Sequence, residues 1–344
     1  MAHELEQDLQ HIFQHTQAVW PRLAGSNIFL TGGTGFVGSW LLESLLWANR
    51  QLDLRARMLV LTRDPAAFCA RRPNLARSPD VEFLTGDLKT FSLPSRQLHY
   101  VIHAAVEHQA PGQNSSDSIR ANAEGTRRLL EMARTHGTQT FLYTSSGAVY
   151  GEQPAALDKI PEHFTGTYQP GNSYAESKRE SETLCTKAAA SGLKVVIARL
   201  FAFVGPYLPL NQNFAVGNFV RDAAAGGPIR VEGDGTPVRS YLYAADLAIW
   251  LWILLANGES ARPYNVGSDQ AIDILELAHK VASICGVTRG ISMAKAHIPG
   301  AKPQRYVPSI ARAKTELGLE PWIPLDEGIR RMFLWHQPNN AMLP

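Results

Sequence analysis

Ser146, Tyr174 and Lys178 have the residue types and the spacing needed to exchange a proton with a substrate hydroxyl group. Tyr174 and Lys178 are four residues apart, so on a helix they project from the same face. A tyrosine is a poor base near neutral pH because its reference pKa is about 10, but a neighbouring ammonium group favours the phenolate and lowers that pKa. Ser145 and Ser146 follow the predicted strand Phe141–Thr144, and the Ser146 hydroxyl can hydrogen-bond the same oxygen. This candidate trio therefore predicts acid–base chemistry at a carbon that carries a hydroxyl group.

A glycine-rich loop between an apolar run, Asn27–Leu30, and a helical pattern, Ser39–Asn49, predicts a dinucleotide-binding site. Its glycines let the backbone turn tightly and approach a phosphate, and the following helix directs free N–H groups at that phosphate. No Gly-Lys-Ser/Thr follows the glycines, which excludes a P-loop. A bound nicotinamide would take a hydride from the carbon whose hydroxyl proton goes to Tyr174. The loop residues expected to contact the cofactor are Gly32, Thr34, Gly35, Phe36, Val37 and Gly38.

Apolar runs and helical patterns alternate over the first two hundred residues, which predicts an α/β fold of the Rossmann type, a doubly wound parallel sheet. The ligand should lie along the carboxyl ends of the strands. The predicted strands are Asn27–Leu30, Arg57–Leu61, Val81–Leu84, Tyr100–His103, Phe141–Thr144 and Val195–Leu200, and the predicted helices between them are Ser39–Asn49, Ile119–His136 and Tyr174–Ser191.

Changes in the sequence pattern along the chain predict its domain boundaries. Leu5, Leu9 and Ile12 recur at helical spacing, which indicates an N-terminal helical extension over residues 1–24. The Rossmann domain is expected over residues 25–203, with about 241–268 returning to it. Loop-like sequence after Phe201 predicts a smaller C-terminal substrate-binding lobe, made of residues 204–240 and 269–344 and ending in a helix at Leu325–Trp335.

Composition narrows the functional class. The chain has 344 residues, of which 45% are hydrophobic and 19% charged, so it should fold as an ordinary globular protein. A formal charge of +2 gives no reason to expect nucleic acid or a membrane surface as a partner. Three widely separated cysteines and no Cys-x-x-Cys argue against a zinc site or disulfide framework, so we expect no bound metal and a cytoplasmic protein. The N-terminus does not have the pattern of a signal peptide.

Taken together, these features resemble the extended short-chain dehydrogenases/reductases, in the NAD(P)-dependent nucleotide-sugar epimerase/dehydratase family. The resemblance covers nearly everything after residue 25. Besides the loop and the trio, it is carried by Gly86-Asp87-Leu88, His103-Ala104-Ala105, Asn122, Gly125-Thr126, Val149-Tyr150-Gly151, Arg199, Gly205-Pro206, Gly233-Asp234-Gly235 and Arg239-Ser240-Tyr241-Leu242-Tyr243.

The resemblance implies roles for matching positions. Asp87 would meet the adenine amino group, Leu88 would pack on the adenine ring, and Lys178 would also hold the nicotinamide ribose. Arg239 and Arg305 match positions that bind the diphosphate of a nucleotide sugar, a task that suits bidentate guanidinium donors. The implied partners are a nucleotide-diphosphate sugar and a second copy of the chain, joined through two helices of each subunit.

The strand end that follows Tyr100–His103 adds further candidates. Ala104 and Ala105 are expected in the cofactor site, and Glu107 and His108 should follow near the nicotinamide. Glu107 is a candidate substrate contact, although an ordinary polar loop is the simpler interpretation.

Cofactor choice depends on the end of the second predicted strand, where Thr62-Arg63-Asp64 follows the apolar run. An acidic residue there would accept a hydrogen bond from the ribose 2′-OH and select NAD. Thr62 does not repel a 2′-phosphate and Arg63 can bind one, so the sequence favours NADP, while Asp64 keeps NAD possible.

Departures from the family pattern narrow the reaction. The 4,6-dehydratases carry an Asp-Glu pair where this chain has Gly147 and Ala148, and Ala148 also replaces the glutamate of the decarboxylase pattern. Ala202 stands where many relatives have a substrate-contacting asparagine. We expect a nucleotide-sugar epimerase that acts through a transient keto-sugar. The alternatives are an NADPH-dependent nucleotide-4-keto-6-deoxysugar reductase and, after it, a 4,6-dehydratase. A non-catalytic NADP sensor is a further alternative, but the Tyr174/Lys178 pair argues against it because a sensor does not need that pair.

Overall fold

The computed structural model describes residues 2–92, 95–105, 115–167, 171–297 and 302–337. The strands are β1 Asn27–Thr31, β2 Arg57–Thr62, β3 Val81–Thr85, β4 Tyr100–His103, β5 Thr140–Ser146, β6 Val195–Leu200, β7 Ala202–Val204, β8 Ile229–Val231, β9 Val238–Arg239, β10 Tyr241–Tyr243, β11 Pro263–Val266, β12 Ile272–Asp273, β13 Ile291–Met293 and β14 Arg305–Tyr306. The helices are α1 Ala2–His15, α2 Trp20–Leu23, α3 Phe36–Leu52, α4 Pro65–Arg71, α5 Pro73–Ala76, α6 Ser115–Thr135, α7 Ser173–Ala190, α8 Ala215–Ala224, α9 Ala244–Asn257, α10 Ile274–Ile284, α11 Ala311–Leu317 and α12 Leu325–Trp335, with a 3-10 turn at Gly147–Tyr150.

Seven strands form one parallel sheet in the order β11-β6-β5-β4-β1-β2-β3. Because side chains alternate between the two faces of a strand, each face of this sheet supports its own core. Ile28 and Leu30 of β1 belong to the core that contains α3 and α9, whereas Phe29 belongs to the core that contains α6 and α7. Helices therefore cover both faces, and the predicted Rossmann-type fold is confirmed.

All the strands of this sheet end at the same edge, so residues far apart in the sequence meet there. The glycine loop follows β1, Ala104 follows β4, and Ser146 is the last residue of β5. The register pairs Thr31 with His103 and His103 with Tyr143, which aligns the ends of β1 and β4, while β5 continues beyond that level to Ser146.

The rest of the chain builds short sheets on this edge and then returns to the main one. β7 pairs with β10, β8 with β13, and β9 lies between β12 and β14. β11 then pairs with β6 in the central sheet. The amphipathic helix α1 buries Leu5, Leu9 and Ile12 in the core that contains α9. Within the described residues, no helix has the length and the apolar character required to cross a lipid bilayer.

Candidate active site

Tight packing explains the glycines of the loop. Gly32 has φ +73°, and a Cβ there would lie 2.7 Å from backbone atoms of Ala104 and Ala105, so a larger residue would push the loop off β4. A Cβ on Gly38 would collide with the backbone of Gly33, which keeps α3 close to the loop. A Cβ on Gly35 would meet only the Gly32 carbonyl, at 3.5 Å, so the surface beside Gly35 is open.

The first turn of α3 faces this open surface and suits an anion. Gly35 occupies the N-cap position, no side chain of the described residues caps it, and the first turn contains no acidic residue. The unpaired N–H groups and the helix dipole therefore favour a phosphate group there. Gly32, Gly35, Phe36, Val37 and Ala104 line the cavity, whereas Thr34, Gly38 and Ala105 do not.

The candidate trio converges on the same cavity, which has a volume of about 850 Å³. Ser146, Tyr174 and Lys178 all line it. Tyr174 is 41% exposed, so its hydroxyl is accessible to a ligand, whereas Lys178 is 4% exposed and lies beneath it. The Lys178 ammonium lies 5.9 Å from the centre of the Tyr174 ring and donates a hydrogen bond of 2.7 Å to the Thr144 carbonyl.

One expectation about this trio is wrong. The sequence predicts that Lys178 lowers the pKa of Tyr174, but burial raises that pKa, and only a hydrogen bond with Ser146 opposes the change. The physical reason is that the ammonium group of Lys178 is directed at the Thr144 carbonyl. Burial also lowers the pKa of Lys178 to about 8, an effect that the carboxylate of Glu182 counteracts.

Glu182 itself is held by a network that sequence reasoning did not identify. It lies one helical turn after Lys178 on α7, accepts two hydrogen bonds from Arg199 at 2.7 and 2.9 Å, and accepts one from Ser145 at 2.5 Å. A bidentate arginine fixes the carboxylate in one orientation. Ser145 and Ser146 both line the cavity, but the Ser145 hydroxyl donates its proton to Glu182, so Ser146 is the better candidate to act on Tyr174.

His103 is a second group whose role the sequence did not reveal. Its two ring nitrogens contact Thr31 at 2.8 Å and Thr126 at 3.1 Å, and Thr126 contacts Ser181 at 3.1 Å. Burial is the main cause that lowers the pKa of His103 to about 3, so the ring is neutral at physiological pH. This chain of hydrogen bonds ties the end of β1, which carries the glycine loop, to α6 and to α7, which carries Tyr174. The sequence signal was only a polar residue at the end of a buried strand.

The predicted adenosine contacts lie after β3. Lys89 N–H, Thr90 N–H and the Thr90 hydroxyl all donate to Oδ1 of Asp87 at 2.8 Å, and the Thr90 hydroxyl is the main cause that lowers the pKa of Asp87. Within the described residues, Oδ2 of Asp87 receives no such bond. Leu88 is buried, and a Cβ on Gly125 of α6 would lie 2.9 Å from its Cβ.

Arg239 and Arg305, two of the predicted substrate residues, have different surroundings. Arg239 lines the cavity, its Nη1 donates to the carbonyls of Val238 and Gln304, and no carboxylate of the described residues forms an ion pair with it. Arg305 is not part of the cavity wall, and its Nη2 donates to the Asp158 carbonyl at 3.3 Å. Glu107, together with His108, lies outside the described residues.

The matching family model is described as the NAD dependent epimerase/dehydratase family and covers residues 28–267. This chain is an enzyme of that family. UDP-glucuronic acid decarboxylase 1 of Arabidopsis thaliana is 32% identical to it, over 89% of this chain and 68% of that protein. The dTDP-glucose 4,6-dehydratase of Streptomyces venezuelae, solved with NAD, has a TM-score of 0.75 at 25% identity and covers 92% of this chain and 98% of its own. The UDP-glucose 4-epimerase of Thermotoga maritima has the same TM-score at 22% identity, over 90% and 98%, and shares the fold.

Proposed function

We propose that this protein is an NAD(P)-dependent nucleotide-sugar epimerase. The observation that carries the proposal is the composition of its cavity, in which Ser146, Tyr174 and Lys178 face the glycine loop while positions 147 and 148 hold no acid–base side chain. Epimerisation through a keto-sugar needs one base for the hydroxyl proton and a hydride carrier. It needs no carboxylate at positions 147 and 148.

The glycine loop and the first turn of α3 fit the pyrophosphate of the cofactor, and Oδ2 of Asp87 is placed to accept a hydrogen bond from its adenosine half. When bound, the nicotinamide supplies hydride transfer from the sugar carbon and back to its other face. Tyr174 takes the proton of the sugar hydroxyl and later returns it. Ser146 hydrogen-bonds the oxygen of Tyr174, and Arg239 pairs with the diphosphate, so that the sugar stays in the cavity while it turns over.

Other reactions of the family make different demands on the same cavity. Decarboxylation and 4,6-dehydration use carboxylates at positions that are Gly147 and Ala148 here, which argues against both, although UDP-glucuronic acid decarboxylases are among the similar proteins. The keto reductase remains the second candidate because Arg63 suits NADPH and the reaction needs no residue beyond the trio.

The proposal is tested by incubating the protein with UDP-glucose, UDP-glucuronic acid and dTDP-glucose, each with NAD and with NADP, and separately with a nucleotide 4-keto-6-deoxysugar and NADPH. We expect a product with the mass of the substrate and an inverted carbon by NMR, with no net change in reduced cofactor. A product lighter than its substrate by the mass of carbon dioxide would show decarboxylation instead, and one lighter by the mass of water would show dehydration. NADPH consumed in proportion to product from a nucleotide 4-keto-6-deoxysugar, with no isomer from the other sugars, would establish the reductase instead.

We also propose that the cofactor is NADP rather than NAD. Asp64, the one acid beside Thr62 and Arg63, accepts a hydrogen bond of 2.9 Å from the Ala67 N–H and so caps α4, which uses one of its two carboxylate oxygens. Arg63→Ala should weaken NADP binding about tenfold, the effect of one lost charge-assisted hydrogen bond, and leave NAD binding within about twofold. The measurement is calorimetric titration of each cofactor. Arg77→Ala, which removes an arginine elsewhere on the surface, is the control, and equal losses for both cofactors in Arg63→Ala would contradict the proposal.

A further inference from the structure

Gly147 leaves no room for a side chain, because another part of the chain fills that space. A Cβ on Gly147 would lie 2.6 Å from the Tyr306 hydroxyl oxygen and 2.6 Å from Cζ of Phe201. The Phe201 and Tyr306 rings pack with their centres 4.6 Å apart. The hydroxyl of Tyr306 therefore occupies the position that a residue-147 side chain would have, directly beside Ser146.

Tyr306 joins two parts of the cavity that are distant in the sequence. It belongs to β14, whose register with β9 places it opposite Arg239. Its side chain also lines the cavity wall next to the trio. Burial raises the pKa of its phenol, while a hydrogen bond with Ser146 opposes that change, so the group remains a neutral O–H donor.

The hydrogen-bonding capacity of Ser146 then determines where its proton points. A serine hydroxyl has one donor proton and two acceptor lone pairs. The Ala148 N–H donates to Oγ of Ser146 at 3.2 Å. A Tyr306 hydroxyl that donates to the second lone pair leaves the Ser146 proton for Tyr174, the other phenol whose pKa an interaction with Ser146 lowers.

We propose that Tyr306 is a positioning residue that, by donating to Ser146 from the space above Gly147, directs the serine proton at the oxygen of Tyr174. The inference rests on the proposed function, in which Tyr174 is the base. A directed Ser146 proton stabilises the Tyr174 phenolate, and the contact connects the serine to the strand pair that carries Arg239.

A double-mutant cycle tests this role with wild type, Tyr306→Phe, Ser146→Ala and the double variant. The kinetic measurement uses the fastest substrate among UDP-glucose, UDP-glucuronic acid and dTDP-glucose. We expect Tyr306→Phe to lower kcat about tenfold with KM within about twofold, the size of one hydrogen bond. The double variant should be no slower than Ser146→Ala, because Tyr306 acts through the serine.

A second measurement does not depend on turnover. The pKa of the Tyr174 phenol is obtained by ultraviolet difference titration of each protein against the same protein carrying Tyr174→Phe. Tyr306→Phe and Ser146→Ala should both raise that pKa, and the double variant should match Ser146→Ala. Tyr264→Phe is the control, because it removes another buried hydroxyl, bonded to Glu316 at 2.9 Å, outside the cavity.

Effects of Tyr306→Phe and Ser146→Ala that multiply in the double variant, or a Tyr174 pKa that Tyr306→Phe leaves unchanged, would overturn the positioning role. Failure of the proposed function is distinguishable, since it appears as turnover retained in Tyr174→Phe or as no isomer formed. In that case the titration alone decides on Tyr306.

Discussion

Tyr174→Phe should lower kcat by about 10²–10⁴-fold, the range for losing a general acid–base group, and leave the dissociation constant of the cofactor within about twofold. The substitution removes one hydroxyl and keeps the ring, so the packing around Lys178 is preserved. Because Tyr174 is 41% exposed, a water molecule can replace the hydrogen bond between its hydroxyl and Ser146. Loss of activity would therefore report on chemistry rather than on folding.

The measurements are steady-state turnover, calorimetric titration of NADP, and thermal unfolding. Tyr264→Phe serves as the matched control, since its hydroxyl contacts Glu316 outside the cavity. We expect that control to retain turnover within about twofold. Turnover of Tyr174→Phe close to that of wild type would remove the acid–base mechanism, and a large loss of cofactor affinity would assign Tyr174 to binding instead.

The sequence predicts the framework of this protein well because periodicity reports burial directly. β4 and β6 have the predicted bounds, whereas α3 begins at Phe36, three residues before the predicted start at Ser39. The first turn of α3 contains Gly38 and belongs to the glycine loop as much as to the core. It therefore does not show the regular apolar repeat from which the start of the helix was predicted. β5 likewise extends through Ser145 and Ser146, because a polar side chain at a strand end is as compatible with a strand as with a loop.

Site features that depend on tertiary packing could not be predicted in the same way. Tyr306 approaches Gly147 only because β14 pairs with β9. No spacing rule connects Tyr306 with Gly147 in the sequence. From the sequence, Gly147 indicated only that the carboxylate of the dehydratase pattern is absent there. The direction of the Lys178 ammonium is a similar case, since the i,i+4 rule places it near Tyr174 but does not specify that it donates a hydrogen bond to the Thr144 carbonyl.

Lys178→Met should abolish most turnover, by about 10²-fold or more, and yet leave the protein at least as stable as wild type at pH 7. Lys178 is 4% exposed, and burial lowers its pKa from 10.5 to about 8. A depressed pKa means that the unfolded chain binds more protons than the folded protein between about pH 8 and pH 10.5. Stability therefore falls as pH falls through that window and stays reduced below it.

This difference corresponds to about 3 kcal/mol of destabilisation at pH 7, at about 1.36 kcal/mol for each pKa unit. Methionine removes that penalty but leaves the Thr144 carbonyl without its donor, which costs about 1–2 kcal/mol. We expect a net gain of about 1–2 kcal/mol in the free energy of unfolding, measured with urea at pH 7. The extra stability of wild type on raising the pH from 8 to 10.5 should be absent in the variant.

Lys187→Met is the matched control, because Lys187 is an exposed lysine on the same helix. Its effect on the free energy of unfolding should stay within about 0.5 kcal/mol, and turnover should not change. A Lys178→Met protein that is several kcal/mol less stable than wild type would show that the ammonium supports the fold. If Lys178→Met is inactive and at least as stable as wild type, the buried charge is retained at the expense of stability because the reaction requires it.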